Sequence, residues 1–159
     1  METPSLSGSA LAFTLVVPKF NDSDEELTKI AEFLASVDVD IPWHVTAFHG
    51  DYKMTEPSNT TAQMLLDAAA IGREAGLRYV YAGNLPGAVD GLEDTRCASC
   101  GKTLVARYGY SIRGYHITPD GTCPSCAAAI PGRWSPRFDG QITSRPFVPG
   151  SRSRLSVLR

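Results

Sequence analysis

The sequence predicts an α/β fold followed by a small metal-binding module. Two observations support this prediction. β-rich apolar runs alternate with amphipathic helical segments in the order βαβαβ, and all four cysteines form two Cys-x-x-Cys pairs beyond the third run. Right-handed crossovers make the three strands parallel. We therefore expect a disordered leader at 1–10, an α/β part at 11–88, a metal ribbon at 89–138 and a basic tail at 139–159.

The first strand and the first helix have clear boundaries. Residues 12–17 are a continuous apolar and β-branched run that ends at Pro18, which predicts a strand buried on both faces. Ser23 and Glu26 then form a capping box at the start of a helix. Its apolar face continues to about Ser36 and consists of Leu27, Ile30, Ala31 and Leu34.

The second and third strands flank a second helix. Pro42 favours an extended conformation at the residue before it, ahead of a strand at 43–48. Apolar residues at helical spacing predict a helix from about Thr60 to Ala75, and Gly76 supplies its left-handed C-terminal cap. Residues 77–82 form the third predicted strand.

The four cysteines predict a structural metal site. Cys97 and Cys100 form one pair, Cys123 and Cys126 form the other, and 22 residues separate the pairs. Each Cys-x-x-Cys turn directs two thiolates at one point, and a second turn completes a tetrahedral site of four sulfurs. The spacing is slightly longer than is usual for a zinc ribbon, and a longer hairpin absorbs the difference. We predict a structural Zn²⁺ ion here.

Other chemistry of these cysteines remains open. Iron also accepts four thiolates, as in rubredoxin, and two separate redox dithiols are a further interpretation. A disulfide framework needs an oxidising compartment, but we find no export signal, and the apolar run 11–17 is too short to span a bilayer. We therefore expect a cytoplasmic protein without membrane association. His116 is an alternative to one thiolate, although four cysteines already complete the site.

The charge of the chain is divided between its two parts. Residues 1–93 have 5 basic and 14 acidic side chains, which give a net charge of −9. Residues 94–159 have 10 basic and 3 acidic side chains, which give a net charge of +7. A zinc tetrathiolate has a charge of about −2, which part of the basic excess neutralises. Nucleic-acid binding is the alternative, but no aromatic motif for stacking RNA bases accompanies the charge. We do not expect nucleic acid as a partner.

Ligands of parallel α/β folds bind at the carboxyl ends of the strands. After the second predicted strand this position is occupied by His49, close in sequence to Asp51, Tyr52 and Lys53. His49 is either a functional residue or a histidine that bonds loop carbonyls. His44 lies inside the strand, and we expect it to be packed or hydrogen-bonded in the core.

Three stretches of the chain share a family resemblance. Residues 16–23, which begin Val-Val-Pro-Lys-Phe-Asn, residues 41–54 and residues 72–87 resemble the last third of a radical S-adenosylmethionine (SAM) enzyme. The nearest likeness is to the radical SAM enzyme of the AmmeMemoRadiSam system, which is related to pyruvate formate-lyase activating enzymes. Residues 95–134, with a Cys-x-x-Cys-Gly knuckle and an Ile-Pro-Gly-x-Trp ending, resemble the cysteine-rich tail of that family. Lys19 stands where the family usually has glycine.

The resemblance implies that residues 11–88 are the last three strands of a partial (β/α) barrel. It also implies that His49 contacts SAM. Radical SAM enzymes hold a 4Fe–4S cluster in a CxxxCxxC loop after their first strand, and the sequence contains no such loop. The first five strands of the barrel are also missing. The resemblance therefore implies a C-terminal segment that is catalytically incomplete alone and needs an N-terminal part that binds the cluster.

The alternative hypothesis is a non-catalytic zinc-ribbon module that binds a protein or a nucleic acid. Both hypotheses leave a parallel sheet with an open edge, which exposes unpaired backbone groups. We therefore expect a complementary N-terminal radical SAM chain or self-association.

Overall fold

The computed structural model describes residues 10–54 and 56–134. The predicted basic tail and all but Ala10 of the predicted leader lie outside these residues. Two sheets follow one another along the described chain. The first sheet contains β1 (Ala12–Val16), β2 (Trp43–Ala47) and β3 (Val80–Gly83), and the helices α1 (Asp24–Val37) and α2 (Ala62–Glu74) connect these strands. The second sheet contains β4 (Thr95–Arg96), β5 (Thr103–Tyr108) and β6 (Ser111–Tyr115).

The first sheet is parallel with the order β1-β2-β3. This confirms the predicted βαβαβ arrangement and the parallel strands. Phe13 pairs with His44, and His44 pairs with Tyr81, so these three residues lie in one row across the sheet. Within the described residues the sheet is open and no further strand extends it.

Helix α1 begins as the capping box predicts. Ser23 Oγ accepts the N–H of Glu26 at 3.3 Å and contacts its Oε2 at 3.1 Å. Three acidic residues fill the first turn, where they interact favourably with the helix dipole. The helix ends at Val37, one residue beyond the predicted end.

Helix α2 starts later than predicted because Thr60 has another role. Thr61 is the N-cap and accepts the N–H of Met64 at 3.3 Å. Gly76 has a φ of 100°, so the predicted left-handed cap is confirmed. The third strand begins at Val80 rather than at 77, because the N–H of Leu77 donates to Gly72 O and that of Arg78 to Val39 O.

Both helices pack on one face of the parallel sheet. The buried core of this part contains Val16, Leu27, Ala31, Trp43, Val45, Leu65 and Ala68. The prediction that β1 is buried on both faces is wrong, because Phe13 is 66% exposed and Leu15 is 48% exposed. The helices cover only the side of β1 that carries Val16, so an apolar surface stays open on the other side.

The two edges of the parallel sheet are partly occupied. The side chain of Asn21 accepts the N–H of Val17 at 2.7 Å and donates to Leu15 O at 2.9 Å, along the outer edge of β1. On the outer edge of β3, the N–H of Ala82 donates to Leu92 O at 3.2 Å. Each edge therefore has one short blocked section.

The second sheet is antiparallel with the order β4-β5-β6. It has its own small core, which contains Cys97, Leu104, Val105, Ile117, Cys123 and Ile130. No helix in the described part of the chain has the length and apolar composition needed to cross a bilayer.

Candidate metal centre

The structure brings the four cysteines together. The Sγ atoms of Cys97, Cys100, Cys123 and Cys126 all lie within 4.8 Å of one another. Cys97 Sγ is 3.6 Å from Cys126 Sγ, and Cys100 Sγ is 3.7 Å from Cys123 Sγ. A tetrahedral zinc site with sulfur at about 2.3 Å from the metal separates the sulfurs by about 3.8 Å. The four thiols are free and are positioned to bind a metal ion.

Each Cys-x-x-Cys pair forms the same kind of backbone turn. In the first, the N–H of Gly101 donates to Cys97 O at 2.8 Å, and the N–H of Cys97 donates to Lys102 O at 2.9 Å. In the second, the N–H groups of Ala127 and Cys123 donate to Cys123 O and Ala128 O, both at 2.9 Å. The two turns are therefore repeats of one another.

The repeat includes a left-handed residue directly after the second cysteine of each pair. Gly101 has a φ of 72° and Ala127 has a φ of 59°. Glycine adopts this conformation without cost, whereas alanine pays a steric penalty. The second turn is therefore the more strained of the two.

The metal site is part of the core of the ribbon. Cys97 and Cys123, the first cysteine of each pair, are buried among Leu104, Ile117 and Ile130, whereas the second cysteine of each pair is exposed. Four protein ligands leave no open coordination position for a substrate, so the arrangement is typical of a structural metal site.

The cysteine thiols have different pKa values. A hydrogen bond from the N–H of Ser125 lowers the pKa of Cys123 to about 6, against the opposing effect of burial. The N–H of Ala128 favours the thiolate of Cys126, but the neighbouring sulfurs and burial raise the pKa of Cys126 to about 12. A thiolate next to other thiolates is unfavourable without a cation, so a divalent metal ion would stabilise all four thiolates.

His116 is not part of the cysteine cluster. Among the described residues, the group of side chains that could bind one metal ion contains only the four cysteines. The side chain of His116 is exposed, and the backbone N–H of His116 donates to Leu104 O at 2.8 Å. The alternative in which His116 replaces a thiolate therefore has no support.

His49 lies beyond the carboxyl end of β2, as the sequence predicts, and its side chain is exposed. The loops after the other two strands hold Asn21 and Asn84. Asn84 Nδ2 donates to Ala47 O at 3.2 Å, which joins the ends of β2 and β3. Within the described part of the chain no side-chain hydrogen bond or ion pair holds His49, so the histidine is accessible at this edge.

Thr60 links the ends of β1 and β2. Its hydroxyl accepts the N–H of Phe48 at 2.9 Å and donates to Val16 O, so a side chain bridges two backbone groups at the strand ends. Thr60 is buried. The sequence placed Thr60 at the start of the helix and gave no signal for this role, because the contact joins segments far apart in the chain.

A row of three rings in contact crosses the open face of the parallel sheet, with Phe13 tilted against His44 and His44 stacked on Tyr81. The ring centroids of Phe13 and His44 are 4.7 Å apart, and those of His44 and Tyr81 are also 4.7 Å apart. Arg107 of β5 lies over Tyr81, with its guanidinium carbon 5.9 Å from the ring centroid. Burial, and the charge of Arg107 to a lesser degree, lower the pKa of His44, so His44 is neutral near pH 7. The expectation that His44 is packed is confirmed, but its place in the core is wrong, because His44 is half-buried on the open face of the sheet.

Fold and site together define an α/β unit joined to a ribbon that carries a four-cysteine site. The chain is 38% identical over 100 residues, which are 62% of its length, to the uncharacterized protein MJ0808 of Methanocaldococcus jannaschii. The matched region is 29% of that protein, so the chain spans less than a third of the length of this relative. No protein-family model and no solved structure matches the chain.

Proposed function

We propose that Cys97, Cys100, Cys123 and Cys126 bind one structural Zn²⁺ ion. The sulfur–sulfur distances of 3.6 and 3.7 Å support this proposal, because they suit tetrahedral coordination. The burial of the first cysteine of each pair also supports it, since a metal ion would then fix the core of the ribbon.

We further propose that the chain is the C-terminal segment of a radical SAM protein of the AmmeMemoRadiSam type. The exposed apolar face of β1 is the observation on which this proposal depends. Phe13 and Leu15 lie on the face opposite the helices, which in a complete (β/α) barrel is the packed interior. The remaining strands of a barrel would cover this face and extend the open edge of β1.

The backbone at Lys19 also supports this proposal. Lys19 has a φ of 68°, in the region that favours glycine. The radical SAM family usually has glycine at the corresponding position. A backbone that suits glycine at this position fits the proposal, although the side chain of the chain is that of lysine.

The proposal divides the active site between two parts of a protein. His49 of this chain would contact SAM at the carboxyl ends of the strands. The four cysteines are already grouped in the ribbon, so a CxxxCxxC loop in an N-terminal part would bind the 4Fe–4S cluster. Cluster and SAM together supply the radical chemistry, and this chain alone is catalytically incomplete.

The experiment is to reconstitute the chain with a complementary N-terminal fragment that contains CxxxCxxC. Under anaerobic reducing conditions with iron and sulfide, we expect 5′-deoxyadenosine from the mixture and none from the chain alone. His49→Ala should reduce turnover, whereas His116→Ala, which alters another exposed histidine, should not. Cleavage of SAM by the chain alone would show that the segment proposal is wrong. Equal turnover of the two variants would exclude the role of His49.

The second candidate function is a non-catalytic zinc-ribbon module that binds another macromolecule. The separate core and the separate sheet of the ribbon favour it. Purification of the tagged chain with its natural partner distinguishes the two functions. A partner with CxxxCxxC supports the radical SAM segment, whereas a nucleic acid or an unrelated protein supports the binding module.

A further inference from the structure

A cleft of about 470 Å³ lies between the open face of the parallel sheet and the ribbon. Its floor is the row of Phe13, His44 and Tyr81, and Arg107 of β5 lies over the Tyr81 end of this row. Tyr110, between β5 and β6, also lines the cleft and is fully exposed. The cleft therefore combines aromatic rings with one permanently charged cation.

The guanidinium of Arg107 has one free edge. Its Nη1 donates to Glu93 O at 3.2 Å and to Thr95 Oγ1 at 2.7 Å, and these two bonds hold the group in place. Its Nε and Nη2 have no hydrogen-bond partner in the described part of the chain. Neither atom is buried, because Asp40 Oδ1 is the only buried side-chain oxygen or nitrogen without a partner among these residues. A carboxylate binds such an edge of a guanidinium with two parallel hydrogen bonds.

The positive charge of Arg107 has no ion-pair partner within the described residues. Glu93 is the only acidic residue in the described lining of the cleft, and its carboxylate oxygens accept the backbone N–H groups of Gly87 at 3.0 Å and Gly109 at 2.8 Å. His44 adds no charge near pH 7, because burial, and Arg107 to a lesser degree, lower its pKa. The free edge of Arg107 is therefore a place for an anion.

We propose that this cleft binds a planar aromatic carboxylate. The carboxylate accepts charge-assisted hydrogen bonds from Nε and Nη2 of Arg107. The aromatic body packs on the row of rings, where Phe13 is 66% exposed and becomes covered by the ligand. This site does not depend on the radical SAM proposal, because every group that it uses belongs to this chain and His49 does not line the cleft.

The three histidines provide a site-specific measurement. His44 lines the cleft, whereas His49 and His116 are exposed and lie outside its lining. The full chain, prepared with zinc, is titrated with 2-naphthoate, with its neutral amide 2-naphthamide, and with acetate, which lacks the rings. We expect 2-naphthoate to shift the imidazole C–H NMR signals of His44 to saturation and to leave those of His49 and His116 in place. Its affinity should exceed that of each other probe by about tenfold or more, because one lacks the charge and the other lacks the rings.

Arg107→Gln tests the anion site, and Arg113→Gln is the matched control. Arg113 of β6 lies over Tyr108, with its guanidinium carbon 4.3 Å from the ring centroid, and is outside the lining of the cleft. We expect Arg107→Gln to abolish the preference for 2-naphthoate over 2-naphthamide and Arg113→Gln to retain it. Equal affinities for these two probes, no saturable shift of His44, or an unchanged preference in Arg107→Gln would overturn the proposal. The comparison of probes on the natural chain decides the matter even if a variant does not fold.

Discussion

The α/β unit and the ribbon are stabilised in different ways. The α/β unit packs two helices on one face of its sheet and buries Trp43, Val45 and Leu65 completely. The ribbon has a core of a few side chains, and two of these are the cysteines Cys97 and Cys123. Segments of about 40 residues or fewer usually need a metal, a disulfide or a partner to fold. We therefore expect the ribbon to depend on a metal ion, and the α/β unit to depend on a cover for its open face.

Loss of a cysteine should give the largest difference between the two parts. Cys97→Ser or Cys126→Ser removes one metal ligand, and structural zinc contributes about 10–16 kcal/mol in small zinc domains. We expect residues 95–134 to unfold while α1 and α2 remain helical. Elemental analysis should show a fall from about one zinc ion per chain to almost none.

Ser99→Ala is the matched control, because it alters a residue between two cysteines and keeps every sulfur. Its zinc content should be that of the natural chain. A natural chain that is prepared without chelator and has no metal would contradict the assignment. A ribbon that stays folded in Cys97→Ser would also contradict the assignment of a structural metal ion.

A cavity in the α/β core should affect only the first part. Leu65 is fully buried, whereas its neighbour Leu66 is half-buried. Leu65→Ala should lower the free energy of unfolding of the α/β unit by about 2–5 kcal/mol, and Leu66→Ala by less. Denaturant unfolding followed at Trp43 measures the change, and zinc content reports on the ribbon. A loss of zinc in Leu65→Ala would show that the two parts fold as one unit.

The open face should control association. Phe13 on the sheet and Phe33 on α1 are both 66% exposed, so they form a matched pair. Phe13→Lys should weaken dimerisation or binding of a partner by about tenfold or more, because burial of a phenylalanine contributes about 1.5–3 kcal/mol. Phe33→Lys should have little effect. Light scattering across a concentration series tests this, and a stable monomer of the natural chain would favour the binding-module function.

The left-handed residues of the two turns should give the smallest effects, with opposite signs. A Cβ added at Gly101 meets no atom within 4 Å, so Gly101→Ala introduces conformational strain without a clash. It should destabilise the ribbon by about 1 kcal/mol, whereas Ala127→Gly should stabilise it by up to about 1 kcal/mol. Competition with a zinc chelator measures both. Effects of the same sign would show that the turns are not equivalent.

The elements of the fold could be predicted where their signals are local. The capping box at Ser23 and the glycine at 76 lie next to the ends that they define, and both are confirmed. The predicted burial of β1 on both faces is wrong, because an apolar run favours a buried strand but does not show whether other elements of the chain pack on each of its faces. The role of Thr60 could not be predicted because its partners, Val16 and Phe48, are distant in the sequence.

The candidate sites show the same difference between local signals and contacts of distant segments. The cysteine cluster could be predicted because each pair places two sulfurs together within four residues. The cleft between the parallel sheet and the ribbon could not, since side chains from both sheets form it. The row of ring contacts between Phe13, His44 and Tyr81 also depends on strand register, which the sequence does not specify.

The side chain of Asn21 limits how the sheet can grow. By occupying Leu15 O and the N–H of Val17, Asn21 leaves only the amino-terminal section of β1 for an added strand. The bond from Ala82 to Leu92 similarly interrupts the opposite edge. Each blocked section shortens the stretch of edge along which another copy could pair. A strand added at β1 must therefore pair along its amino-terminal section, so the side chain of Asn21 sets the registers that such a strand can adopt.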